Sequence, residues 1–338
     1  MSTSSQGAAS SSRLKLLIRS ITYEATGIRS YELVDPAGEP LPSVEAGSHI
    51  DIHVPNGPTR QYSLCNDPSE RHRYVIAVLR DEWGRGGSKA IHDQLQVEQI
   101  VEVSRPRNNF SLVSGARKHI LVAGGIGVTP LKAMAHQLQI DGEDYQLHYC
   151  AKTEAHAAFF KELQTELDPA RIAFHFDRGN PVDGLDIQAL LKVQPEGAHL
   201  YFCGPGGFMA ACEKASVHWD AGTVHSEHFK APVPPPASPE ALAQAHQGQS
   251  GDAEFSVKLA STGAVYGVPA DRSIVQVLAE AGVAVETSCE AGLCGACKVG
   301  YLEGEVQHND FILSDDERRT CLTACVSRAT SSVLVLDL

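Results

Sequence analysis

The sequence predicts a multidomain chain: an antiparallel β-barrel, then an open parallel α/β sheet, then a small α+β domain. Three observations carry that expectation. At 338 residues the chain exceeds what one ordinary hydrophobic core organises. Near Leu112 its patterning changes from short alternating runs to apolar strands separated by helical stretches. Further on, "KAPVPPPASPEALAQAHQGQSG", Lys230 to Gly251, is proline-rich and then small and polar, the composition of a linker. The expected boundaries are 13–112, 113–230, a linker at 231–251, and 252–338.

In the first segment, runs such as "HIDIHV" and "RYVIAVL" sit between Gly/Pro/Asn turns, which suits antiparallel strands closing into a barrel. In the second, "HILVAGG", "YQLHYCA", "RIAFHF" and "AHLYFCG" alternate with helical stretches, the signature of a parallel sheet with crossover helices. The third reads strand ("EFSVKLA"), strand ("AVYGVPA"), a helix with Ser273 as N-cap ("SIVQVLAEAG"), a cysteine loop and a last strand ("SSVLVLDL").

Composition excludes several classes. A formal charge of −13 argues against nucleic acid or an anionic membrane as partner. No window approaches the roughly 18 uninterrupted apolar residues of a membrane span. The opening "MSTSSQGAASSSR" lacks the apolar core of a signal peptide and reads as a disordered tail. Nine cysteines without an export signal point to reduced thiols and a cytoplasmic location.

Three of those cysteines crowd into "SCEAGLCGACKVG". Cys289-x4-Cys294-x2-Cys297 has the spacing of a plant-type 2Fe–2S loop, which needs one further, distant cysteine; Cys321 and Cys325 are the candidates. Thiolates suit iron, and Gly292 and Gly295 permit the positive φ of a loop wrapped round a cluster. A structural zinc site would bring its cysteines in pairs, often with histidines, rather than as a triplet. Here the tail resembles plant-type ferredoxin domains over nearly all of Asp252–Leu338. In that family the last ligand follows the third by nearly thirty residues, so the resemblance favours Cys325 over Cys321.

"RQYSLCND" contains Arg60, Tyr62, Ser63 and Leu64, types that suit a flavin: a cation for its phosphate, an aromatic for its ring, a hydroxyl for N5. Further on, "EWGRGGSKAIHD" supplies Arg85, Gly86, Gly87 and Ser88, an anion nest ahead of a helix start. Together these resemble the flavin barrel of the ferredoxin-reductase superfamily. The domain order resembles its branch of phthalate dioxygenase reductases and vanillate demethylase reductases. The resemblance implies a Greek-key barrel, an NAD-binding α/β domain and a β-grasp ferredoxin domain. It also implies FMN rather than FAD, with Arg60 and Gly86-Gly87-Ser88 at the phosphate, Tyr62 on the ring and Ser63 near N5.

"ILVAGGIGVTP" places Gly124, Gly125, Gly127 and Thr129 after an apolar strand. It is not G-x-G-x-x-G, yet its small residues and the helix that follows suit a pyrophosphate. "YFCGPGGFMAAC" adds Cys203 and Gly204 at a strand end. Both elements resemble the pyridine-nucleotide domain of the same superfamily, which implies that Gly125, Gly127 and Thr129 line the nicotinamide site and that Cys203 faces the hydride-bearing carbon without covalent chemistry. "SEHF" resembles the branch's domain-ending segment and would put Phe229 near the flavin. Asp177 beside Arg178, and Glu154 near Lys152, favour NADH over NADPH.

A hydride carries two electrons and the cluster takes one, so a flavin between them is the physical solution. No Rieske spacing or two-His-one-carboxylate set is visible in the sequence, so substrate oxidation is expected in another chain. The resemblance implies the reductase of a two-component Rieske aromatic-ring oxygenase or O-demethylase, within aromatic hydrocarbon catabolism. The partner would dock on the ferredoxin domain, where thirteen acidic side chains face six basic ones and "SDDERR", Glu303, Glu305 and Asp310 are candidates for an acidic rim. The alternatives are a reductase serving a P450 or other one-electron acceptor, an iron–sulfur redox sensor, and a zinc protein.

Overall fold

The computed structural model describes residues 13–55, 57–230 and 254–338. The expected tail at the N-terminus lies outside these residues apart from Arg13, as does the linker at 231–251. The chain divides into two compact units, with the break between Glu227 and His228.

The first unit begins with strands β1 (Arg13–Ala25), β2 (Ile28–Val34), β3 (Ser48–His53), β4 (Thr59–Ser63) and β5 (Tyr74–Leu79). Helix α1 (Gly87–Gln94), β6 (Ile100–Ser104) and β7 (Arg107–Asn108) follow. The strands run in the order β4-β3-β6-β1-β2-β5, every pairing is antiparallel, and β7 adds to β3. A bridge between Leu64 and Ile76 links the two ends of the sheet and closes the barrel. Alternation does the rest: Ile50 and Ile52 on β3, Ile18 on β1 and Val103 on β6 are fully buried in one core. Each such side chain contributes roughly 1.5–3 kcal/mol by leaving water.

The same unit continues with β8 (Lys118–Gly124), α2 (Val128–Asp141), β9 (Tyr145–Ala151), α3 (Phe160–Glu166) and β10 (Ile172–Phe176). It ends with α4 (Ile187–Leu191), β11 (Ala198–Cys203), α5 (Gly206–Ala215) and β12 (Val224–Glu227). All five strands are parallel, in the order β10-β9-β8-β11-β12. Helices cover both faces, which is why β8 and β11 read as continuous apolar runs: Leu121, Val122, Tyr201 and Phe202 are all fully buried. The chain order reverses between β8 and β11, and open α/β sheets bind ligands at such a switch point.

The second unit contains β13 (Phe255–Leu259), β14 (Val265–Val268), α6 (Ile274–Glu280), β15 (Lys298–Glu303), β16 (Val306–Gln307), β17 (Cys321–Thr323), β18 (Arg328–Ala329) and β19 (Val333–Leu336). Its main sheet runs β14-β13-β19-β15-β17, with only β13 and β19 parallel. Strand β14 is an edge that stops at Val268, one residue before Pro269, whose nitrogen cannot donate. Ser273 caps α6 as expected: it accepts from the Gln276 N–H at 3.2 Å, and the Gln276 side chain accepts from the Ser273 N–H at 3.0 Å.

Candidate functional site

On the barrel, β4 carries Arg60, Tyr62 and Ser63 in register with Ile52, Ile50 and His49 of β3. The glycine turn ahead of α1 lies against this strand. Gly86 takes a left-handed φ of 83°, and a Cβ on Gly87 would come within 2.5 Å of the Arg60 side chain. Gly86 makes no side-chain cap at the start of α1, and a helix N-terminus beside the Arg60 side chain suits an anion. The Ser88 hydroxyl accepts from the Asp81 N–H at 3.0 Å, closing the loop that contains Arg85. Burial pushes the Tyr62 hydroxyl well above its ordinary range, so it stays a neutral phenol. Leu64 is buried, and its N–H donates to the Ser48 carbonyl at 2.8 Å, fixing the strand just past Ser63.

On the sheet, the two glycine segments predicted from sequence meet at the switch point. Gly125 has a φ of 55°, and a Cβ on Gly127 would stand 2.1 Å from the Cys203 carbonyl oxygen. Gly204 is equally constrained, since its Cβ would meet the Phe208 ring at 2.6 Å and the Gly124 Cα at 3.1 Å. The first turn of α2 includes Thr129, buried, with its hydroxyl donating to the Ile126 carbonyl at 3.0 Å. Pro130 fits in this turn because N–H groups there have no helical partner. Cys203 is fully buried; burial first, and the Glu227 carboxyl second, raise its thiol well above the usual range. A neutral thiol is no nucleophile.

One residue of this constellation was not identified from the sequence. Glu227, the last residue of β12, pairs in register with Cys203 and accepts a hydrogen bond from the Ser63 hydroxyl at 3.3 Å. It therefore links the barrel strand to the nucleotide sheet. Desolvation pushes its carboxyl up to about 7, so it gains and loses its proton near neutral pH. Its sequence signal is the segment "SEHF", where the resemblance points to Phe229 alone. Phe229 itself is exposed and falls beyond the first unit.

In the second unit the cysteines lie in two neighbouring pairs. Cys289 and Cys294 are in side-chain contact, and so are Cys297 and Cys325. Backbone N–H groups point at the sulfurs: Ala291 and Leu293 donate to Cys289 at 3.4 and 3.3 Å, Cys289 and Ala296 to Cys294 at 3.5 Å. A hydrogen bond from the Cys294 thiol, opposed by burial and helped by the backbone donors, lowers the Cys289 thiol below its ordinary range. Left-handed Gly292 and Gly295 shape the loop, and a Cβ on Gly292 would meet the Val326 side chain at 2.8 Å. Two sulfur pairs ringed by amide donors fit a 2Fe–2S cluster with two protein sulfurs on each iron. Cys321 faces Gly300 across β15 and β17, and its sulfur meets the Thr320 hydroxyl at 3.8 Å.

One expectation needs correction. Asp310 is not part of an acidic rim: it is buried and accepts from the N–H groups of Ile312 and Leu313 at 3.3 and 2.9 Å, so it organises the loop from inside. Glu303, Glu305, Asp315 and Asp316 are exposed.

The comparisons agree with this geometry. Residues 257–330 match a family described as the 2Fe-2S iron-sulfur cluster binding domain. The chain is 52% identical to the tert-butanol monooxygenase / tert-amyl alcohol desaturase reductase subunit of Aquincola tertiaricarbonis, covering 96% of each. It is 43% identical to the phthalate dioxygenase reductase of Burkholderia cepacia over 96% of this chain and 97% of that one. The solved structure of a phthalate dioxygenase reductase, described as modular for electron transfer from pyridine nucleotides to [2Fe-2S], superposes with a TM-score of 0.70 at 43% identity, over 96% of this chain and 98% of that one. An intact type IV self-sufficient cytochrome P450 monooxygenase matches with a TM-score of 0.84 at 35% identity, over 96% of this chain but 41% of its own. Barrel, nucleotide sheet and cysteine loop thus define a pyridine-nucleotide-dependent oxidoreductase with a flavin and a 2Fe–2S cluster. Within that class, the chain belongs to the family of phthalate dioxygenase reductase and vanillate O-demethylase oxidoreductase.

Proposed function

We propose that this chain is the reductase component of a two-component oxygenase, drawing on NADH and passing electrons through FMN and a 2Fe–2S cluster to a separate Rieske-type oxygenase. One observation carries the reading: two glycine turns of a parallel sheet converge on Cys203 while Glu227 of the same sheet reaches Ser63 on the barrel. A flavin supplies what the step needs, since it accepts electrons in pairs and releases them singly.

The residues divide that work. Arg60 and the Gly86-Gly87-Ser88 turn bind the phosphate, and Tyr62 covers the ring. Gly125, Gly127, Thr129 and Gly204 leave room for the nicotinamide, and the neutral Cys203 thiol orients it. Ser63 and Glu227 form a relay that would carry a proton away from the flavin edge: the hydroxyl gives its proton to the deprotonated carboxylate as it takes one up from the other side. Cys289, Cys294, Cys297 and Cys325 hold the cluster. Domain limits of 13–112, 113–230 and 252–338, joined by a linker at 231–251, serve this division. Asp177 follows β10 directly, where its carboxylate suits a ribose 2′-OH better than a phosphate.

The oxygenase would dock on the ferredoxin domain through its exposed carboxylates. The substrate belongs to that partner: close relatives serve both phthalate and tert-butanol systems, so an aromatic substrate is not dictated by the reductase. The cytoplasm, where NADH is abundant, is the compartment this function requires, and no described helix is long and apolar enough to cross a membrane. The likeness to the self-sufficient P450 supports a second reading, delivery to a P450. Reconstitution decides between them: NADH-driven turnover with a Rieske oxygenase and none with a P450 supports the proposal, and the reverse refutes it.

A further inference from the structure

We propose that Lys132 is a positioning residue that sets the spacing between the flavin strand and the nicotinamide turn; the inference rests on the function proposed above. Lys132 lies in the first turns of α2 and is only 3% exposed, although lysine is rarely buried without a partner. Its Nζ donates to the Cys65 carbonyl of the barrel at 3.1 Å and pairs with the Glu162 carboxylate of α3 at 2.7 Å. Glu166 lies at 4.0 Å, and the Phe159 ring centroid at 5.2 Å. Phe159 is a buried non-glycine residue held at a left-handed φ of 59°, a conformation that persists only where the surroundings impose it.

The two ends of this clamp are the two halves of the site. Thr129 lies three residues before Lys132 on α2, so both side chains share one helix face. Cys65 lies two residues past Ser63 and is itself fixed, its N–H donating to the Val75 carbonyl at 2.9 Å and its thiol donating to the same oxygen at 3.3 Å. A single ammonium thus ties the strand bearing Ser63 to the turn bearing Thr129, with Glu162 and Phe159 preventing it from moving aside. Transfer between bound rings depends steeply on such spacing, and a shift of about 1 Å from a remote change can cost ~10²-fold. Lys132 touches neither ring; it acts through Cys65 and through its own helix.

The test uses full-length holoprotein and follows flavin bleaching by NADH in stopped flow, with amide hydrogen exchange over 63–66 as an independent readout. K132M is expected to lower the saturating rate about tenfold or more, to leave half-saturating NADH within about threefold, and to speed exchange at Cys65. K132R should recover a substantial part of the rate. E162Q, which keeps the lysine and its bond to Cys65 but removes its charged partner on α3, should slow bleaching about threefold. A lysine that only stabilised the fold would lower the melting temperature and leave the saturating rate of surviving holoprotein unchanged. A wild-type saturating rate in K132M, or in E162Q should K132M give no holoprotein, would overturn the proposal. Failure of the wild-type protein to bleach with NADH would instead overturn the function on which it rests.

Discussion

Glu227 shows how one side chain can carry both a cost and a role. Its carboxyl titrates near 7 in the folded protein against 4.5 as the ordinary value, and burial is the larger cause, opposed by the Ser63 hydrogen bond. Between those values the unfolded chain gives up the proton and the folded one keeps it, so this group's contribution to stability falls as pH rises from about 4.5 to 7. E227Q removes that loss, and its melting temperature at pH 8 should exceed the wild-type value. The same substitution breaks the relay. Electron delivery from NADH to the cluster should slow by about 10²-fold, and an inflection near pH 7 in the wild-type profile should vanish. The cysteines give a second residue-scale prediction. C325A should lose cluster absorbance and iron, whereas C321A should retain both; the opposite result would reassign the fourth ligand.

Among the elements, the glycine turns were legible as composition but not as geometry. "GGIGVTP" and "CGPGG" advertise close approach, yet nothing in either string says that Gly127 abuts the Cys203 carbonyl. That contact exists because β8 and β11, nearly eighty residues apart, are neighbours in the sheet. G127A forces a methyl into backbone at 2.1 Å, a cost of about 3 kcal/mol, equivalent to a fall of roughly 6–12 °C in Tm. G206A makes the control, since a Cβ there meets nothing within 4 Å and should shift Tm little. The barrel strands follow their alternation and the parallel-sheet strands their continuous apolar runs, and the α6 capping box was visible at Ser273. Glu227 was not, because its meaning depends on Ser63, 164 residues away in the chain. Lys132 was hidden for the same reason, since its partner Cys65 lies 67 residues away in the chain. Asp310 misled in the other direction, since loop carboxylates usually face water and this one caps buried amides.

At the scale of the whole molecule, the fold assembles a converter from pair to single electrons. The chain runs flavin, nucleotide, cluster, whereas electrons run nucleotide, flavin, cluster; it is the presence of all three motifs together that predicted the activity more firmly than any one of them. The two halves of the circuit should be separable. A chain lacking its cluster through C325A should still reduce ferricyanide with NADH at near wild-type rate, because flavin alone suffices, and should lose delivery to an oxygenase. Loss of both activities together would mean that the cysteine loop supports the flavin site rather than the outlet.

The most direct test of the central claim is an anaerobic titration of the purified holoprotein with NADH, followed by visible absorbance. Overlapping flavin and iron–sulfur bands should bleach together, with an endpoint at about 1.5 equivalents per chain, because flavin takes two electrons and the cluster one. A colourless protein carrying zinc, or a flavin that bleaches while the cluster stays oxidised, would contradict the account.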